Sequence, residues 1–248
     1  RQICVIVTAD RFLINGCSFT RGPVAWPYHL KSIDQQSFTN LALSSAGNTY
    51  IHESTIYELS QRSYQGVIIM WSGLSRVDAK VESIDLFDNT WYTSNFQRTT
   101  NDWQEKIVEP INDQDYVDPD WVFGLGHQNQ DPVITERKIF DGLYRYQNLK
   151  QFTFHFLIKL ISLQNTLKAM NIPYVFTFYQ PYQMVLQTET NLCKLVDWNN
   201  IYTEQNIYEI AKQNNDIDQD NHPGLKSNQI WAEIMDKVIS TKILKEVA

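Results

Sequence analysis

Four short segments of this chain are apolar at nearly every position instead of every second one: residues 12–14, 38–43, 67–71 and 174–179. A strand with one face in water alternates apolar and polar side chains. A continuous apolar run therefore reads as a strand covered on both faces, the pattern of a parallel sheet between two helical layers. Helical periods fall between these runs. Trp26, Leu30 and Ile33 keep one face at i, i+4 and i+7, and residues 51–59 continue a helix that opens just after Gly47 and Asn48. Leu149, Phe152, Phe156, Leu160, Leu163 and Leu167 hold a helical period until Asn171 and Pro173 stop it. Ile230, Ile234 and Val238, with Trp231 and Met235 beside them, mark a final amphipathic helix. The order β-α-β-α-β predicts an α/β fold, a three-layer α/β/α sandwich around a central parallel sheet. Its crossovers should be right-handed and its site should lie at the carboxyl ends of the strands.

At 248 residues the chain suits one large domain, here read as spanning 1–248. Residues 78–136 break the pattern: Trp91, Tyr92, Phe96, Trp103, Tyr116, Trp121 and Phe123 are mixed with Asp, Asn and Gln and no period persists. An insert so aromatic reads as an ordered lid or rim, or equally as an extension covering a sheet edge. With 21 Lys+Arg against 28 Asp+Glu, a net charge of −7 and no basic run, nucleic-acid binding would lack its main driving force. Cys4, Cys17 and Cys193 are too few and too odd in number for a disulfide framework. The apolar stretch at residues 3–7 is too short for a signal-peptide core or a membrane span, so a soluble chain is expected, with no membrane partner and its compartment open. His29, His52, His127 and His155 show no metal-ligand spacing, and no Gly-rich phosphate loop is present. No metal and no cofactor are expected, and the oligomeric state is not legible.

Three loops carry the residues of interest. Asn15-Gly16-Cys17-Ser18-Phe19-Thr20 follows the first strand directly, where a tight turn sets a Ser hydroxyl at the carboxyl edge of the sheet beside backbone N–H groups. In residues 40–49, Gly47 precedes a helix and can offer an unobstructed N–H to an oxyanion. In residues 218–224, His222 follows Asp218 and Asp220, as a base and its orienting carboxylate require. Taken singly these read as a turn, a loop glycine and a helix cap. Their order along the chain says more.

In that order the sequence resembles the SGNH, or GDSL-like, hydrolase superfamily. Residues 16–20 look like its first block, Ser45-Ala46-Gly47-Asn48-Thr49 like its second and Asp220-Asn221-His222-Pro223 like its last. Trp26-Pro27 and Trp231-Ala232 are similar to a subgroup met in phage and environmental bacterial sequences. The resemblance spans nearly the whole chain outside the insert and implies a flavodoxin-like sheet. It also implies that Ser18 is the nucleophile, His222 the base, Asp220 its orienting carboxylate with Asp218 in reserve, and the N–H groups of Ser18 and Gly47 an oxyanion hole. Cys17 stands where the family has Asp and is expected in the core. Gln219 holds the place of the usual family Asp. Residues 67–76 end without the Asn that normally donates to the oxyanion. Asn48 is the first candidate to replace it, with an N-cap as its competing role. Ser72 and Ser75 come next, and Arg76 is a further reserve. The expected activity is a serine esterase removing a small acyl group, such as acetyl, from a carbohydrate. The competing expectation is a binding or structural protein, such as a virion or surface component, that keeps the fold with weak catalysis. Acyl transfer to another hydroxyl is the third.

Overall fold

The computed structural model describes residues 12–44, 46–74, 76–80, 121–124, 149–181, 190–218 and 221–247. The chain divides into two compact units, Arg1–Asp78 with Phe123–Ala248, and Ala79–Val122. Most of the stretch read as an insert lies outside the described residues, apart from strands β4 (Val77–Lys80) and β5 (Trp121–Gly124), which pair with each other. The first unit holds the site.

Its sheet consists of β1 (Phe12–Asn15), β2 (Phe38–Asn40), β3 (Gly66–Trp71) and β6 (Tyr174–Phe178), in the order β2-β1-β3-β6 with every pair parallel. Every residue of β1, β3 and β6 is buried, which is why these runs do not alternate. The helices are α1 (Asn48–Gln61), α2 (Leu149–Ala169), α3 (Thr190–Cys193), α4 (Ile207–Gln213), α5 (Leu225–Lys242) and α6 (Leu244–Val247). They cover both faces. The Trp71 ring meets Phe156 of α2 edge-on at 5.2 Å, whereas a Cβ at Gly66, on the opposite face of the same strand, would press on Ile243 just beyond α5. This is the α/β/α sandwich that the sequence implied.

Three local expectations need correction. Residues 26–33 do not form an α-helix; the first crossover is made by two 3-10 turns, Trp26–His29 and Gln35–Ser37. Pro27 starts the first turn and Leu30 is already extended, and the N–H groups of Lys31 and Ser32 go to the Asp236 carboxylate on α5 instead of to a helical ladder. Trp26, Leu30 and Ile33 are buried all the same. The second strand stops at Asn40, because its side chain accepts from the Ala42 N–H and donates to the Thr20 carbonyl, turning the chain out of the sheet. In α5 the buried stripe is Trp231, Ala232, Met235 and Ile239, and Ile230, Ile234 and Val238 are its half-buried flank. For the long helix the reading holds: α2 runs its full period and ends where Asn171 takes a left-handed φ of 54° and Pro173 follows. Among the described residues no helix is long and apolar enough to cross a membrane.

Candidate active site

The first loop is built by its neighbours. Asn15, fully buried at the end of β1, donates to Ile51 O, Ser54 Oγ and Thr55 Oγ1 of α1 and accepts the Gly16 N–H at 2.8 Å. Gly16 must be glycine here, since a Cβ would collide with the Thr20 side chain and reach 3.0 Å from the Met70 carbonyl oxygen. The Thr20 N–H then closes a turn on Cys17 O at 2.9 Å. Within that turn Cys17 is completely buried and Ser18 half-buried, so the hydroxyl and not the thiol meets the site.

His222 arrives on a second turn just before α5. Ile217 and Pro223 form an antiparallel bridge, the Asp218 N–H donates to His222 O at 2.9 Å, and the Asp218 carboxylate accepts the His222 N–H at 2.7 Å. Asn221 takes a φ of 61°, a left-handed conformation that Asn tolerates. Asp216, which the sequence reading passed over, secures the end of this turn. Its carboxylate accepts the Ser227 N–H in the first turn of α5 at 2.6 Å, and a Cβ at Gly224 would run into that same carboxylate. Caps are read from the residues adjoining a helix, and Asp216 reaches α5 from across the turn.

These two loops bring His222 Nε2 to 2.7 Å from Ser18 Oγ. For the hydroxyl to donate, the imidazole must carry its own proton on Nδ1. The Phe19 ring lies 4.9 Å from the imidazole and 4.6 Å from the Tyr179 ring, so aromatic surface walls one side of the pair. Asp220 and Gln219 lie outside the described residues, as does Ser75. Asp218 shapes the backbone of the turn through the bond already given.

The second loop runs beside the first, with Leu41 N bonded to Ile14 O and Leu43 N to Gly16 O at 3.3 Å. Gly47 caps α1, whose positive dipole end therefore opens at this edge of the sheet. Asn48 departs from both roles expected of it. It is the first helical residue and not the cap, and its side chain is spent on the end of β3: Nδ2 donates to Ser72 O and Gly73 O, each at 3.2 Å, and Oδ1 accepts the Ser72 N–H at 2.9 Å. With both amide protons engaged it is a clamp between loops, not an oxyanion donor. The Ser72 side chain is buried, and its hydroxyl has no hydrogen-bond partner among the described residues. Arg76 Nη1 donates to Ala46 O at 3.2 Å, and the guanidinium lies 5.8 Å from the centre of the Tyr179 ring.

The other titratable groups stand apart. Burial between helices, helped by the Lys159 charge, holds His52 down at about 4. His29 Nε2 lies 3.2 Å from Val24 O and His155 is exposed on α2, while His127 and Cys4 lie outside the described residues. Among the described residues no group of three His, Cys, Asp or Glu could hold a metal. A pocket of about 270 Å³ lined by Lys168, Pro173, Tyr174 and Asn200 opens at the amino edge of the sheet, away from the Ser18–His222 pair. Its polar groups are joined to one another through Asp197, which accepts from Lys168 at 2.8 Å, Asn200 at 3.0 Å and Tyr174 at 3.1 Å.

No protein-family model matches the chain, and no curated protein matches it in sequence. Among solved structures, it is similar to the psychrotrophic esterase EstA from Pseudoalteromonas sp., in a crystal structure inhibited by monoethylphosphonate. Identity is 15% and the TM-score 0.47, over 96% of this chain and 98% of that one.

Proposed function

We propose that this chain is a serine ester hydrolase. The observation that carries the reading is the 2.7 Å approach of His222 Nε2 to Ser18 Oγ at the carboxyl edge of a parallel sheet. In the proposed cycle Ser18 Oγ bonds to the ester carbonyl carbon as His222 takes its proton. The oxyanion is met by the N–H groups of Ser18 and Gly47, and His222 returns the proton to the leaving alkoxide as the C–O bond breaks. Water, deprotonated by the same imidazole, then bonds to the acyl carbon, and the acyl–Oγ bond breaks as His222 returns that proton to Ser18 Oγ, releasing the acid. Asp220 is assigned the orienting role because it lies two residues from His222, and Asp218 remains the reserve. The close wall of Phe19 and Tyr179 favours a small acyl group such as acetyl. The carbohydrate alcohol rests on the family resemblance.

A second reading, a binding protein with weak catalysis, is favoured by one observation: the third block lacks its Asn and the Asn48 amide is already engaged. Hydrolysis of p-nitrophenyl acetate separates the two. The hydrolase reading expects turnover by the wild type, a loss of about a thousandfold or more in Ser18→Ala and His222→Ala, and a retained rate in Cys17→Ala. Equal rates in wild type and Ser18→Ala would overturn it.

A further inference from the structure

Two cations rest on the aromatic wall of the site. The Arg76 guanidinium lies 5.8 Å from the centre of the Tyr179 ring, and Lys212 Nζ, on α4, lies 4.4 Å from the centre of the Tyr208 ring. Both tyrosines meet Phe19, the residue after Ser18, at 4.6 and 6.5 Å, and Phe19 meets His222 at 4.9 Å. Each cation therefore stands two rings away from the imidazole. Backbone bonds fix them there. A turn in which the Arg76 N–H bonds to Gly73 O at 3.2 Å brings that side chain round, and the Tyr208 N–H ties α4 to Tyr179 O at 3.4 Å, just past the end of β6. Among the described residues, no carboxylate forms an ion pair with Arg76 or Lys212, and the only hydrogen bond from the Arg76 guanidinium runs from Nη1 to Ala46 O.

In a chain of net charge −7, acidic partners for a cation are plentiful, yet these two stand without one beside the site. Arg76 is half-buried, so its charge has lost part of its water, and the rest of its fork is satisfied best by an anion. From this we infer that the site takes an anionic ester: a small acyl group on an alcohol that carries a carboxylate. Arg76 holds the carboxylate, and the exposed Lys212 adds a second positive charge at the rim. The anion belongs to the alcohol part, because the rings of Phe19 and Tyr179, the wall assigned to the acyl group, stand between Arg76 and His222. Arg is suited to the role. Its planar fork meets a carboxylate with two parallel bonds, and the Tyr179 face holds that fork in place. Two like charges at one mouth of an acidic protein also draw anionic substrate toward it.

The inference rests on the hydrolase reading and names its substrate class, and the test separates the two. The probes are two acetate esters with closely similar leaving phenols: para-acetoxyphenylacetate, which carries a carboxylate, and p-tolyl acetate, which does not. The ratio of their kcat/KM values, taken within one enzyme, cancels any general change in the site. The wild type should favour the anionic ester by about tenfold or more, as charge-assisted hydrogen bonds allow. Added sodium chloride should shrink that preference. Arg76→Gln should bring the ratio toward one, chiefly by raising KM for the anionic ester. Arg76→Lys should keep part of the preference, and Lys212→Gln should lower it by less than Arg76→Gln does. An active wild type that does not favour the anionic ester, or whose preference survives in Arg76→Gln, would overturn this inference alone. A wild type no faster than Ser18→Ala on either ester would overturn both readings.

Discussion

Replacing Asn48 by Ala removes three hydrogen bonds from a buried position at the end of β3. Each such bond contributes about 1 kcal/mol net, and leaving the Ser72 N–H buried without an acceptor adds a penalty of about 1–3 kcal/mol. A loss of roughly 4–6 kcal/mol follows, which for a chain of this size lowers the melting temperature by about 8–24 °C. A mere cap would cost about 1 kcal/mol. Asn48→Asp sharpens the test: it keeps an acceptor for the Ser72 N–H but turns a second oxygen toward the carbonyls of Ser72 and Gly73. Burial and those carbonyls disfavour the charged form, so the folded carboxyl should titrate above its unfolded value of about 3.9. The unfolded chain then releases its proton first, and the stability of this variant should fall as pH rises from about 4 toward neutrality. Urea titrations of wild type, Asn48→Ala and Asn48→Asp at pH 4 and pH 7, with the slope checked for constancy, measure both effects. If Asn48→Ala lies within 1 kcal/mol of wild type, the clamp does not hold the loop and the assignment fails.

Gly16→Ala should be poorly tolerated, because its Cβ would meet Thr20 and the Met70 carbonyl oxygen; a destabilisation of about 1–3 kcal/mol with disproportionate loss of esterase rate is expected from parallel melting and kinetic measurements. Asp216→Ala should cost about 1 kcal/mol or more by uncapping α5 and should lower kcat by loosening the turn that carries His222, whereas Asp216→Asn should recover much of the stability in the same urea assay. His52, held down at about 4 mainly by burial, resists a proton that the unfolded chain binds near pH 6.5. Stability is therefore full above that pH and should decline by about 1–2 kcal/mol between 6.5 and 4 once partial solvent contact is allowed for. His52→Gln should flatten that part of the pH profile.

The buried strands were legible because burial on both faces leaves its mark in composition alone: 67–71 are apolar throughout and 174–178 at every position but Thr177, and they lie at the centre and edge of the sheet. The long helix α2 was legible because its period and its stop signals agree. Trp26, Leu30 and Ile33 misled because an irregular chain lying across α5 buries the same positions that a helix would, and only Asp236, over two hundred residues away, reveals the difference. Ser18 and His222 stood out through local context, a turn after a strand and an Asp-rich loop before a helix. What each side chain bonds to was not local. Asn48 next to Gly47 suggested a donor or a cap, but its partners lie in the loop after β3, and Arg76 shows no sign in sequence of its contact with Ala46.

Ser18 and His222 are joined across 204 positions of chain, and α5 reaches the first crossover through Asn228 to the Trp26 N–H and Asp236 to Lys31 and Ser32. Such distant pairings are late events, since long loops must close before they are rewarded. The machinery is thus dormant until α5 docks. During refolding from denaturant, circular dichroism should recover before the proposed ester cleavage does, and during synthesis Ser18 would stay without its His222 partner until residue 222 has been made and α5 has docked.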